Sequence, residues 1–456
     1  MRSYFIETWG CQMNHHDSER LAGRLRSEGL TPAASATEAD LILLNTCSVR
    51  EKPVQKIRSR LGEIGRENAS AVVGVCGCVA QQEGSRLLER SPVVGFVLGP
   101  GQLNRLEDAV RRLKNGTRSV FTGFDAESEY NFHTIFRKSS TRGMVTVIEG
   151  CNEHCTFCIV PYTRGPEKSR PVNDILTEIR SLAATGVREV ELLGQTINAY
   201  RCPESEADLA QLLTLVGEVP GVERIRFITS HPRHFSGRLI DAMASNPKVS
   251  RYLHLPVQAG ANAVLKRMHR RYTREEYLEL VGRLRAAIPD LNLSTDIIVG
   301  FPGESDSDFQ QTIDLLEEVR FGQVFAFAFS PRSRTPAARY ALPVPESVKK
   351  QRLSRLFACA DRITGEINQT IVGRTLRVLI DGDSRRSPQD WQGRTDDNRV
   401  VNFPKINHEK PGDFVPVEII RAGAHSLYGR LAGPRLHLPV IVKPAGSPVA
   451  LEPGRV

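Results

Sequence analysis

Apolar positions in the first quarter of the chain fall into short continuous runs separated by amphipathic stretches. Runs at residues 4–8, 41–45, 71–76 and 93–98 read as buried strands. Residues 17–28, 51–66, 83–90 and 103–113 carry the 3.6-residue spacing of helices between and after them. Alternation of this kind predicts a parallel sheet covered by helices, with functional loops at the carboxyl ends of its strands. A polar stretch at 122–141 has little periodicity and reads as a linker. Beyond it six strands are expected at 144–148, 189–193, 224–229, 252–255, 292–299 and 324–329, separated by helical patterns such as 172–185 and 272–287. Six strand–helix units predict an open, partial barrel with chemistry on the loops that follow the strands. Residues 341–372 read as a helical connection. Runs at 376–380, 398–403, 414–420 and 426–431, broken by Gly, Pro, Asp and Asn, predict a small all-β barrel.

The pattern thus predicts an α/β chain with an N-terminal parallel-sheet domain at 1–120, a linker at 121–140 and a central partial (β/α)6 barrel at 141–372. A C-terminal β-barrel at 373–436 and a flexible Pro- and Gly-rich tail at 437–456 follow. Composition adds that 40% of residues are hydrophobic and 25% charged, as in ordinary soluble proteins. No apolar run is long enough to span a bilayer, and the start lacks the apolar core of a signal peptide, so a cytoplasmic protein without a membrane partner is expected.

The formal net charge of +9 points towards a polyanionic partner, with RNA the natural candidate. Lys266, Arg267, His269, Arg270, Arg271 and Arg274 form a tight basic knot, and Arg137, Lys138 and Arg142 a smaller one. A solvated helix face is the competing explanation for either.

The chain has nine cysteines, an odd number that excludes complete pairing. In a reducing compartment they argue for metal or redox chemistry. Cys151, Cys155 and Cys158 form a CxxxCxxC loop placed directly after the first strand of the expected barrel. Three thiolates suit three corners of a cubane iron–sulfur cluster, and with no fourth cysteine nearby the fourth iron stays open to a small molecule. Structural zinc is the competing reading, but zinc takes four protein ligands, commonly from CxxC pairs. Cys11, Cys47, Cys76 and Cys78 fall near the carboxyl ends of the first three strands. Cys76 and Cys78 lie two apart, so on an extended strand they would share a face. Cys202 and Cys359 have no companions and read as structural or incidental. His15, His16 and Asp17 are adjacent, hence on different faces, and read as a loop and helix start.

The CxxxCxxC spacing resembles that of the radical S-adenosylmethionine superfamily, and further motifs narrow the resemblance. Trp9-Gly10-Cys11-Gln12-Met13-Asn14, Asn45-Thr46-Cys47-Ser48-Val49-Arg50 and Gly77-Cys78-Val79-Ala80-Gln81 resemble the three cysteine motifs of the methylthiotransferases. Val160-Pro161-Tyr162-Thr163-Arg164-Gly165, Leu192-Leu193-Gly194-Gln195, Thr229-Ser230-His231-Pro232 and Leu253-His254-Leu255-Pro256-Val257-Gln258 continue the match. Gly393-Arg394-Thr395-Asp396-Asp397-Asn398-Arg399-Val400-Val401-Asn402-Phe403 is most similar to the MiaB type, which modifies transfer RNA, and its barrel resembles the RNA-binding TRAM domain. Ala259 departs from the family, which usually carries serine there.

The resemblance implies two 4Fe–4S clusters, one on Cys151, Cys155 and Cys158 and one on Cys11, Cys47 and Cys78, with Cys76 a small hydrophobe. It implies S-adenosylmethionine as cofactor, with Phe157, Gln195, Ser230 and Gln258 as candidate contacts. The implied reaction is radical methylthiolation at carbon 2 of the isopentenyl-adenosine beside the anticodon, a bond that only cofactor chemistry reaches. Lys266, Arg267, Arg270, Arg271, Arg394 and Arg399 are the candidate RNA contacts. An electron donor such as flavodoxin or ferredoxin, a sulfur donor and a monomeric state complete the expectation. Threonylcarbamoyl-adenosine in transfer RNA or a ribosomal-protein aspartate is the alternative substrate, and a non-catalytic iron–sulfur RNA-binding protein the alternative class.

Overall fold

The computed structural model describes residues 1–48, 51–124, 130, 132, 135–137, 141–406 and 408–433, with the backbone alone for 51–55. The expected tail at 437–456, Val49, Arg50, Lys138 and most of the expected linker lie outside the described residues.

The first part is a six-stranded parallel sheet in the order Thr31–Pro32, Ser3–Trp9, Leu41–Thr46, Val72–Gly77, Val94–Leu98, Ser119–Phe121. Period-two alternation sorts its strands onto two cores. Ile42, Leu44, Val73 and Val75 pack with Ile57, Leu61 and Ile64 of the helix Glu51–Glu67. Leu41, Leu43, Cys76 and Phe96 pack on the other face with Leu21 and Leu25 of the helix Gln12–Ser27 and Leu106 and Val110 of Leu106–Lys114. Two edge strands, Thr31–Pro32 and Ser119–Phe121, are too short to leave a hydropathy signal. The helix expected at 83–90 is two, Cys78–Glu83 and Arg86–Arg90, because Gly84 turns the chain between them at φ +54°.

Described residues of the expected linker dock closely. The Phe136 N–H donates to Glu19 O at 3.1 Å, and Phe136 joins the second core. Tyr130 lies between two guanidinium groups, Arg20 at 4.3 Å and Arg170 at 3.8 Å from its ring centroid. Their hydrophobic anchors were too few to register as a periodic element.

In the central part, Arg142–Thr146, Glu189–Leu193 and Arg224–Phe227 form one parallel leaf, and Tyr252–His254, Asn292–Val299 and Gln323–Ala328 another. A parallel bridge between Ile225 and Val249 joins the leaves, giving an open barrel of six strands in chain order. Helices cover its outside, among them Val172–Ala184, Arg274–Ala287 and Asp306–Val319. Ser305 and Asp308 form a reciprocal capping box on the last of these, as Thr273 and Glu276 do on Arg274–Ala287. The long helix Glu346–Gln369 then leads to a closed five-stranded barrel: Thr375–Asp383, Asp390–Thr395, Val400–Pro404, Leu427–Leu431, Phe414–Ala422. Val378, Ile380, Val401, Phe403, Val417 and Ile419 fill it. Its second strand escapes the sequence pattern because Asp390–Thr395 carries a single apolar side chain, Trp391.

The turn between the second and third strands of this barrel presses on the start of the central strands. Arg224 Nη1 donates to Arg394 O at 3.1 Å, Arg226 Nη2 to Thr395 O at 2.9 Å, and Asn292 Nδ2 to Asp397 O at 2.8 Å. Both arginines also pair with Glu189, and all three side chains are almost wholly buried. Removing one partner of such a pair typically costs about 3–5 kcal/mol. Arg224→Met should therefore destabilise the protein by about 3 kcal/mol, since Arg226 still faces Glu189. Chemical denaturation checks this, and an unchanged midpoint would contradict it.

Candidate active site

Three neighbouring parallel strands deliver three cysteines to one sheet edge. Cys11 follows Ser3–Trp9 and caps the helix Gln12–Ser27; its Sγ lies 3.4 Å from Asn14 Oδ1. Cys47 follows Leu41–Thr46, and its N–H donates to Trp9 O at 2.9 Å. Cys78 opens the helix Cys78–Glu83 after Gly77, whose φ of +87° and approach to Thr46 O leave no room for a side chain. Asn45 Nδ2 braces the loops, donating to Asn14 O at 2.8 Å and Ser18 Oγ at 2.9 Å.

Cys47 and Cys78 are buried and Cys11 is exposed. The Cys47 thiol hydrogen bonds to both neighbours, which holds Cys11 down to about 6 and, against its burial, Cys78 down to about 7. Cys47 itself is pushed well up by the same two bonds. Arg164 adds a nearby positive charge to Cys11 and Cys78. It is buried and donates from Nη2 to Asp17 Oδ2 at 2.6 Å. Arg164 stands six residues beyond Cys158, so the loop after the second triad supplies charge to the first. Hydropathy gave no sign of this, because the partner, Asp17, lies 147 residues away in sequence. Cys76 sits apart, wholly buried among Phe96, Leu98 and Leu21, and burial pushes its thiol up.

The second triad follows the short strand Ile148–Glu149. Gly150 has φ +80°, and a side chain there would meet Pro166 O at 2.0 Å. The Cys151 N–H donates to Gly165 O at 3.1 Å, and its Sγ lies 3.1 Å from Thr196 Oγ1. Cys155 Sγ accepts from Arg270 Nη1 at 3.3 Å. The Cys158 N–H donates to Cys155 O at 3.0 Å, and burial pushes the Cys158 thiol up to about 12.

Tetrahedral zinc with 2.3 Å bonds would draw its sulfurs to about 3.8 Å from one another. Among the described residues neither cysteine triad gathers its sulfurs within 4.8 Å; only Glu153, His231 and His234 bring donor atoms that close. In the Glu153 group, His234 Nε2 hydrogen bonds to Glu153 Oε1 at 2.6 Å, which holds the carboxyl at about 2. Arg233 stands 3.7 Å from the same oxygen, a positive charge beside the carboxylate. This group clamps the cysteine loop to the turn 231–234.

Of the four expected cofactor contacts, Phe157 lies within this loop and Gln195 binds the residue ahead of it. Gln195 Oε1 accepts from the Gly150 N–H, fixing the residue ahead of Cys151. Ser230 is buried, and its hydroxyl has no hydrogen-bond partner among the described residues, as a ligand contact requires. Gln258 takes φ +74° while its N–H donates to Asp296 O at 2.9 Å. Phe157 is half-buried against an apolar cluster that includes Leu265, Met268 and Phe301.

The expected RNA contacts divide. Lys266 and Arg271 are exposed. Arg267 donates to Gly303 O at 2.6 Å and, with Arg339 and Tyr340, lines a shallow pocket that the sequence did not suggest. Arg270 corrects the expectation: it is 4% exposed and faces Cys155, so it has no face to offer a phosphate. Arg394 and Arg399 are half-buried and already have partners. Arg394 pairs with Asp381 at 3.3 Å, and Arg399 pairs with Asp397 while donating to Asn368 Oδ1 at 3.0 Å. Their motif serves the contact between barrels. In the smaller knot, Arg137 pairs with Glu178 and Arg142 approaches Glu189 and Glu191.

Comparison with known proteins agrees with this geometry. Residues 3–99 match the Uncharacterized protein family UPF0004, residues 145–316 the Radical SAM superfamily and residues 369–432 the TRAM domain. The chain is similar in fold to a radical S-adenosylmethionine methyltransferase, TsrM, from Kitasatospora setae, with TM-score 0.54 and 17% identity over 74% of this chain and 75% of that one. It is 44% identical to the tRNA-2-methylthio-N(6)-dimethylallyladenosine synthase of Ralstonia pickettii (strain 12J), over 96% of this chain and 99% of that protein. The synthase of the same name from Bordetella parapertussis is 46% identical, over 94% of this chain and 92% of that protein. With two cysteine triads, a partial barrel and a terminal β-barrel in one chain, the protein belongs to the family of tRNA-2-methylthio-N(6)-dimethylallyladenosine synthases.

Proposed function

We infer that this protein is a tRNA methylthiotransferase that replaces the hydrogen on carbon 2 of isopentenyl-adenosine, beside the anticodon, with a methylthio group. The observation that carries the reading is the pair of cysteine triads at the carboxyl ends of two parallel sheets, joined by the Arg164–Asp17 pair. Bound to these triads, two 4Fe–4S clusters with S-adenosylmethionine supply the radical that removes an unactivated hydrogen and the sulfur that replaces it.

The chain's own residues hold, orient and shield. Cys151, Cys155 and Cys158 are the ligands on the barrel, with Gly150 and Gln195 fixing their entry. Cys11, Cys47 and Cys78 are the ligands on the sheet, and the Arg164 cation favours their thiolate forms. The orphan Ser230 hydroxyl, Gln258 and Phe157 line the cofactor's place. A base in an RNA loop is splayed outward at less cost than one in a duplex, which suits an anticodon-adjacent target. Lys266, Arg271 and the terminal β-barrel hold the RNA backbone.

In this reading residues 1–120 carry the sulfur-supplying cluster, 141–372 the radical-forming one and 373–436 the RNA contact. An electron donor such as flavodoxin or ferredoxin and a separate sulfur donor serve a monomeric enzyme. The cytoplasm, where transfer RNA and reduced thiols coexist, is its place. None of the nine cysteines forms a disulfide, and no helix of the described residues is long and apolar enough to cross a membrane.

Nucleoside analysis of transfer RNA from a deletion strain tests the reaction. The methylthio-isopentenyl nucleoside should vanish and its unmodified precursor accumulate; an unchanged profile would reject the assignment. Affinity for an anticodon stem-loop should fall steeply with salt as counterions are released, whereas a flat dependence would count against RNA. Cys78→Ala should lose about half the iron of the anaerobic protein while Cys76→Ala keeps it all. Equal loss in both variants would overturn the ligand choice.

A further inference from the structure

The basic segment that the sequence suggested as an RNA grip runs along the CxxxCxxC loop. The Thr156 N–H donates to Met268 O at 3.1 Å and its Oγ1 to Arg267 O at 2.9 Å. His269 Nδ1 lies 3.4 Å from His154 O. His269 and Arg271 both take left-handed backbone, at φ +58° and +56°, an uncommon choice for such residues. Two such turns on either side of Arg270 send it inward while its neighbours stay exposed.

Arg270 is then fixed on every side. Its Nε donates to Tyr272 Oη at 2.9 Å and its Nη2 to Pro256 O at 3.0 Å. Tyr272 Oη in turn donates to Val257 O at 2.9 Å. The remaining donor, Nη1, points to Cys155 Sγ at 3.3 Å. Among the described residues no carboxylate forms an ion pair with Arg270, and its charge is directed at the sulfur. A cluster gains negative charge on reduction, and a fixed cation in a water-poor site stabilises the reduced form more than the oxidised one. Net charge and hydrogen bonds to the sulfurs are among the factors that set cluster potentials.

We propose that Arg270 is a positioning residue that raises the reduction potential of the cluster on Cys151, Cys155 and Cys158 through its charged hydrogen bond to Cys155. The proposal rests on the assignment of that triad as cluster ligands. Its test is a redox titration of the anaerobic full-length holoprotein, followed by electron paramagnetic resonance, for the wild type, Arg270→Gln and Arg270→Lys. Arg270→Gln should make one of the two clusters at least tenfold harder to reduce, about 59 mV for one electron, and leave the other unmoved. Arg270→Lys, which keeps the charge, should stay close to wild type. Unmoved potentials in a fully loaded Arg270→Gln protein, or equal shifts in both variants, would overturn the role. Should Arg270→Gln load only one cluster, Arg270→Lys decides: normal loading and potential support the role, and loss there too refutes it. A wild-type protein without a cluster on this triad would instead refute the functional reading itself.

Discussion

The buried pair between Arg164 and Asp17 is the contact on which the site depends. It joins the end of the CxxxCxxC segment to the helix that begins at Cys11, with 2.6 Å between the charged atoms. Each triad is a property of its own sheet, set by strand ends and tight turns. Their mutual placement belongs to neither sheet. Burying two charges is costly, and such a pair survives only where each charge finds a partner. Arg164 meets that condition twice, with Asp17 and with the thiolate forms of Cys11 and Cys78. Asp17 also has Arg20 at 3.7 Å. The same cation thereby orders the interface and favours deprotonated sulfur in one triad.

Much of this was legible in the sequence, for physical reasons. Leu41–Thr46 and Val72–Gly77 are buried strands with apolar runs, and Ser3–Trp9 shows a shorter one at Tyr4–Ile6, which placed Cys47, Cys78 and Cys11 at strand ends. Cys76 was the ambiguous thiol, since pleat alternation alone pairs it with Cys78. The chain leaves extended geometry at Gly77, which ends that equivalence and leaves Cys76 in the core with Phe96. Asp390–Thr395 was illegible because its side chains are nearly all polar.

Charged residues were the harder reading. A run of arginines looks the same in sequence whether it faces solvent or a sulfur. What separates Arg270 from Lys266 and Arg271 is a pair of left-handed residues, which composition does not reveal. Arg394 and Arg399 sit in a motif similar to that of the MiaB type, and its turn packs on Arg224 and Arg226. The basic balance of the chain thus overstates the charge free to meet RNA. A good part of it is neutralised inside, against Glu178, Glu189 and Asp17.

On the proposed reading the protein holds two cubane clusters, each gripped by three cysteines and open at the fourth iron. Mössbauer spectroscopy of iron-57-enriched protein, recorded anaerobically before and after addition of S-adenosylmethionine, tests it most directly. Two 4Fe–4S species are expected, one of them with a distinct iron whose signal changes when the cofactor binds. A single cluster, or spectra indifferent to the cofactor, would contradict it.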